Sequence, residues 1–104
     1  MKLINADDFS SVFNYRKRLS SSHLYIHYCP NNFRYYRLGF VVAKKIEKLA
    51  VKRNYMRRSL REVIKQHFPK NVAFDIVVRV RNSFYKDAFH EIENEIKLLL
   101  LNIK

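Results

Sequence analysis

A chain of 104 residues has room for one domain, 1–104, around one modest hydrophobic core, and its seven Tyr and eight Phe leave it too apolar for a disordered tail. Its formal charge of +12 points to a polyanionic partner, either nucleic acid or an anionic membrane surface. Spanning a membrane is excluded by the shortness of every apolar run. The opening MKLINADDF lacks the apolar core of a signal peptide, and a lone Cys29 forms no internal disulfide, so a cytoplasmic address is expected.

In chain order the pattern alternates helix and strand, without repeats, low-complexity segments or a linker. Asp7 or Asp8 can cap a first helix in which Phe9 and Phe13, four residues apart, share one face. That pattern fades by residues 19–22. Residues 23–29 read as a strand, with Leu24, Ile26 and Tyr28 on one face and His23, Tyr25 and His27 on the other. The PNN at 30–32 is a turn, and residues 35–43 form a second strand carrying the only glycine, Gly39. These two strands are expected to pair as an antiparallel hairpin.

A helix over 49–67 follows, ended by Pro69. Residues 72–80, VAFDIVVRV with its leading Val72, are almost continuously apolar, as in a strand central to a sheet. A last helix from about Lys86 sets Phe89, Ile92, Ile96 and Leu99 at helical spacing, and its four leucines at 98–101 are assigned to a core. The class is α+β, a small sheet with helices packed on it.

The charge is concentrated. Residues 44–65 hold nine Lys and Arg against Glu47 and Glu62, a net +7, whereas three Lys against four acids leave −1 from residue 83 onward. At about 100° per residue, Arg53, Arg57, Arg61 and Lys65 advance along one stripe with Asn54 and Arg58 beside it. Met56, Leu60, Val63 and Ile64 occupy the neighbouring sector, which would pack on the sheet. An ordinary solvated face mixes acids with bases four residues apart. This one instead aims forked guanidinium donors outward, as bidentate phosphate binding requires.

RLGFVVAKK (37–45) followed by AVKRNYMRRSLRE (50–62) resembles the signature of the bacterial ribonuclease P protein subunit: a Gly-containing strand, a Lys pair and a helix with an Arg-Asn-Arg core. DDFSSVF upstream and FDIVVRV downstream stand in the order of that family. Tyr55 replaces the third residue of the core, Arg57 stands where Lys is common, and Glu47 and Lys48 occupy the loop that often carries a Gly.

The resemblance implies an α-β-β-β-α-β-α order with a left-handed βαβ crossover. That adds one short strand, near residues 18–20, which periodicity does not show. It implies that an RNA subunit cleaves the 5′ leader from precursor tRNA while the protein assists. Lys44, Lys45, Lys52, Arg53, Asn54, Arg57, Arg58, Arg61 and Lys65 would then bind the catalytic RNA. Phe9 and Phe13 match two aromatics of a cleft for the single-stranded leader, and the aromatic expected from the next strand falls at His27, with Tyr25 one pleat away. Arg16 and Lys17 would supply backbone charge beside these rings, a sequence-tolerant way to hold a single strand. On residue type alone, plain hydrophobic core is the favoured reading of Phe9 and Phe13.

No catalytic constellation is present in the pattern, and His23, His27 and Cys29 make a poor zinc set. Magnesium is expected to be held mainly by RNA, and the pattern singles out no direct protein ligand for it; no organic cofactor, no membrane and no obligate protein partner are expected. The alternative is a ribosomal-type structured-RNA-binding protein without a role in cleavage.

Overall fold

The computed structural model describes residues 2–4, 8–68 and 72–103. Its elements are β1 (Lys2–Leu3), α1 (Phe9–Asn14), β2 (Arg18–Ser20), β3 (Leu24–Pro30), β4 (Arg37–Val41), α2 (Ala50–His67), β5 (Phe74–Val80) and, after a 3₁₀ turn at Lys86–Ala88, α3 (Phe89–Leu100). This is the α+β order expected, with a two-residue strand ahead of it. The short strand anticipated at 18–20 is β2. The caps proposed at Asp7 and Pro69 lie outside the described residues.

The five strands run β1-β4-β5-β3-β2 across a mixed sheet. β5 is central, as its apolar run demands. It pairs antiparallel with β3, Ile26 opposite Val78, and parallel with β4, Leu38 opposite Ile76. Because β4 and β5 are parallel neighbours, α2 must cross over between them. The expected hairpin of the 23–29 and 35–43 segments therefore does not form. Pairing them directly would push β5 to an edge, where its apolar faces and ladder groups would meet water. The hairpin that does form joins β2 to β3, Leu19 opposite Ile26.

Strand alternation divides the molecule into three layers. Leu24, Ile26, Leu38, Ile76, Val78 and Val80 face one side, where Met56, Leu60, Val63 and Ile64 of α2 and Ile92, Ile96 and Leu99 of α3 close the main core. On the opposite side α1 lays Val12 against Cys29 and Val77, a second and smaller core. Of the leucine run, Leu99 is buried while Leu98 and Leu101 are exposed, so the run is only partly core. No helix among the described residues is long and apolar enough to cross a membrane.

Two polar clusters join these elements. Asp75 is buried on β5 and accepts from Arg37 Nε at 2.8 Å and Nη2 at 2.6 Å, a two-point clamp on β4. The same guanidinium donates from Nη1 to Asp8 at 3.3 Å, so the N-cap residue of α1 spends its carboxylate on β4 and makes no side-chain cap of its own. On the far side, Glu95 of α3 accepts from the Ser21 hydroxyl, the His23 backbone N–H at 2.9 Å and His23 Nδ1 at 2.6 Å, tying α3 to the β2–β3 turn.

Candidate nucleic-acid interface

The α1 side of the sheet is only partly covered. Register places Arg18 of β2 opposite His27, Tyr25 opposite Arg79, and Gly39 opposite Val77, so these side chains share one face. α1 closes part of this face through Phe9. A Cβ on Gly39 would lie 2.5 Å from Phe9 Cε1 and 2.8 Å from Cζ, so only glycine lets the ring seat on the strand. Phe9 is thus chiefly a packing residue. Phe13, one turn on, stands edge-on to Phe9 at 6.4 Å and to His27 at 4.6 Å.

Beyond α1 the face is an open groove. Phe13, Arg16, Arg18 and His27 line one depression, and Tyr25, Lys45, Arg79 and Arg81 line the next. The Tyr25 ring sits among three guanidinium groups, with Arg79 at 4.7 Å, Arg18 at 4.9 Å and Arg81 at 5.3 Å from its centroid. Arg16, at the C-terminal end of α1, has a φ of 64° and so turns the chain sharply into β2. Lys17 is exposed, and its carbonyl accepts from the Tyr28 backbone N–H at 3.2 Å.

His27 is buried at the groove floor, and its Nε2 has no hydrogen-bond partner among the described residues. Burial, then the positive charges of Arg79 and Arg18, lower its pKa to about 4. At neutral pH the ring is uncharged. It supplies an aromatic surface between guanidinium groups and adds no charge of its own.

Sequence reasoning missed Arg18, Arg79 and Arg81. The signal was present in VRVR at 78–81: with Val78 and Val80 in the core, alternation must put Arg79 on the other face, and Arg81 follows it at the strand end.

The second basic surface is α2. Arg58, Arg61 and Lys65 are exposed along the expected stripe, as are Asn54 and, before the helix, Lys44 and Lys45. Arg57 donates from Nη1 to Asn54 Oδ1 at 3.1 Å. Arg53 and Lys52 of the predicted set make contacts with residues outside that set. Arg53 is half-buried and donates from Nη1 to the carbonyls of Glu47, at 2.9 Å, and Lys48, at 2.8 Å, bracing the loop that enters α2. Lys52 lies over the Tyr85 ring at 5.4 Å.

Glu47, the acid within the basic run, also has a structural task. Its carboxylate accepts from the Ser83 hydroxyl at 2.6 Å and from the Leu49 N–H at 3.1 Å, hydrogen bonds that hold its pKa below the usual carboxylate range. Tyr55 turns away from the basic stripe and packs on Tyr85 at 5.0 Å and Phe84 at 6.4 Å. It packs edge-on against protein.

Among the described residues, the cluster with metal-ligand spacing is His23, Glu91 and Glu95. His23 and Glu95 are already paired, and none of the three lines the groove.

The same combination of fold and sequence occurs elsewhere. All of residues 1–104 match the family model described as Ribonuclease P. The chain is 32% identical over 102 residues to the ribonuclease P protein component of Chromobacterium violaceum, covering 98% of this chain and 84% of that protein. It is 40% identical over 79 residues to the corresponding Azoarcus protein, covering 76% and 66%. The solved structure of the RNase P protein from Thermotoga maritima superposes with a TM-score of 0.82 at 30% identity, covering 100% of this chain and 98% of that one. A family match over the full length, joined to a shared fold, places this chain in the ribonuclease P protein family.

Proposed function

We propose that the protein is the subunit of ribonuclease P that binds the catalytic RNA through α2 and the 5′ leader of precursor tRNA in the groove, assisting Mg²⁺-dependent endonucleolytic removal of the leader. The observation that carries this reading is the groove itself: Phe13, His27 and Tyr25 in a row, flanked by Arg16, Arg18, Arg79 and Arg81. Leaders vary in sequence, so a binder of them gains from ring faces and backbone charge, which do not depend on base identity. A ribosomal-type structured-RNA binder would use the basic helix but has no need of an aromatic groove.

The groove residues do not suit Mg²⁺ as protein ligands. That ion takes oxygen donors in octahedral array, carboxylates foremost among side chains, and the groove is lined by cationic, aromatic and aliphatic side chains with no carboxylate among them. In this reading magnesium enters with RNA phosphates, and the chain contributes by lowering the repulsion between catalytic RNA and substrate. Lys45, which lines the groove just before α2, joins the two basic surfaces.

The test is reconstitution with a bacterial ribonuclease P RNA. The protein alone should cleave nothing, and adding it should restore precursor tRNA cleavage at magnesium concentrations where the RNA alone is slow. Metal-dependent cleavage by RNA-free protein, or no stimulation of the RNA, would overturn the reading.

A further inference from the structure

The first turn of α2 carries apolar side chains inside the most basic surface of the molecule. Val51 is 69% exposed and Leu49, just before the helix, is 57% exposed. A phosphate-binding surface has no use for them, and a β-branched residue at an exposed helical position gains nothing in helix propensity. Val51 nevertheless shares a stripe with Asn54 and Arg58, three and seven residues on. With Arg57 these residues line one shallow depression.

The polar groups around it are set in a particular way. Because Arg57 Nη1 donates to Asn54 Oδ1, the Asn54 amide is oriented with its Nδ2 hydrogens uncommitted among the described residues. The depression therefore combines an apolar floor, an oriented amide donor and two guanidinium groups at its rim.

We infer that this depression receives an unpaired nucleobase of the RNA bound by α2. The base lies with its face on Val51, one of its edge acceptors takes a hydrogen bond from Asn54 Nδ2, and Arg57 and Arg58 hold the flanking phosphates. The inference rests on the RNA-binding reading of α2 and deepens it, since it makes this part of the helix a reader of an extruded base as well as a phosphate clamp. Phosphate alone would leave the apolar floor unused. A protein segment would have to desolvate Arg57 and Arg58 and supply acids to both, whereas an RNA strand brings the flat face and the anions together.

The experiment measures affinity of the full-length protein for a bacterial ribonuclease P RNA across a salt series. Val51→Ala should weaken binding about fivefold at every salt concentration and leave the slope of log affinity against log salt unchanged. Val51→Leu should restore most of the loss. Arg58→Ala should weaken binding and also flatten the slope by roughly one unit or slightly less. Since Val51 is exposed and both replacements are better helix formers, neither substitution should lower the melting temperature. Wild-type affinity for Val51→Ala beside a weakened Arg58→Ala would overturn the base subsite while sparing the helix as a phosphate binder. No effect from Arg58→Ala either would remove α2 from the RNA interface, and the subsite with it.

Discussion

Gly39 shows how a single hydrogen atom positions the interface. The Phe9 ring edge occupies the place a Cβ would take, so Gly39→Ala must shift the ring on the strand. Overpacking of this kind costs about 1–3 kcal/mol, and the expected result is a lower melting temperature that Phe9→Leu in the same chain partly restores. An unchanged melt for Gly39→Ala would mean that α1 seats by other contacts. His27 makes a different prediction. Its pKa falls from 6.5 to about 4 on folding, chiefly through burial. Between those values the unfolded chain binds a proton that the folded chain refuses. Its stability contribution is therefore complete above about pH 6.5 and is lost as pH falls toward 4. His27→Tyr should flatten the dependence of melting temperature on pH in that window relative to wild type.

At the scale of the element, α1 and α2 each divide their work between two sides. α2 packs Met56, Leu60, Val63 and Ile64 inward while Arg58, Arg61 and Lys65 stay in solvent. Arg53 belongs to both, since part of its guanidinium braces the loop ahead of the helix. Arg53→Ala should therefore lower the melting temperature, whereas Arg58→Ala should leave it unchanged and reduce the salt slope of RNA binding by about 0.7–0.9 unit. Equal melts for the two variants would remove the bracing role. On α1, Phe9 packs on Gly39 while Phe13 faces the groove. Phe13→Ala should cost about 1–3 kcal/mol of precursor tRNA affinity and leave mature tRNA bound as before, measured by parallel titrations. Phe9→Ala should instead lower stability first. Uniform loss of all binding in Phe13→Ala, with a collapsed melt, would assign that ring to the core as well.

Across the whole molecule, the two basic surfaces are held in fixed relation by the sheet. Arg37 and Asp75 join β4 to β5, Asp8 brings α1 onto the same clamp, and Glu95 draws α3 to the β2–β3 turn. The acids are few, and several of them are used in these joints: Asp8, Asp75, Glu47 and Glu95 all accept from side chains or backbone of other segments. Among the described residues no carboxylate lines the groove or forms an ion pair with Arg58, Arg61 or Lys65; under the proposed function such a field would speed encounter with a polyanion and make binding strongly salt-dependent.

The helices, the core face of α2 and the central place of β5 were legible in the chain itself, because each is written as local periodicity: 3.6 for α2 and α3, and a continuous apolar run for β5. The basic stripe was legible for the same reason. Family resemblance located β2, whose three residues are too short to show alternation. Strand pairing was not legible, since the 23–29 and 35–43 segments look like a hairpin until β5 needs two partners and takes the place between them. The groove was half visible. Phe13, His27 and Tyr25 could be named, but Arg18, Arg79 and Arg81 converge on Tyr25 only through the pairing of β2, β3 and β5. Likewise the sequence marks Arg53 and Arg58 as equals, and only folding decides that one braces a loop while the other meets solvent. Periodicity is a property of neighbours along the chain; partners distant in sequence are chosen by the packing of the whole.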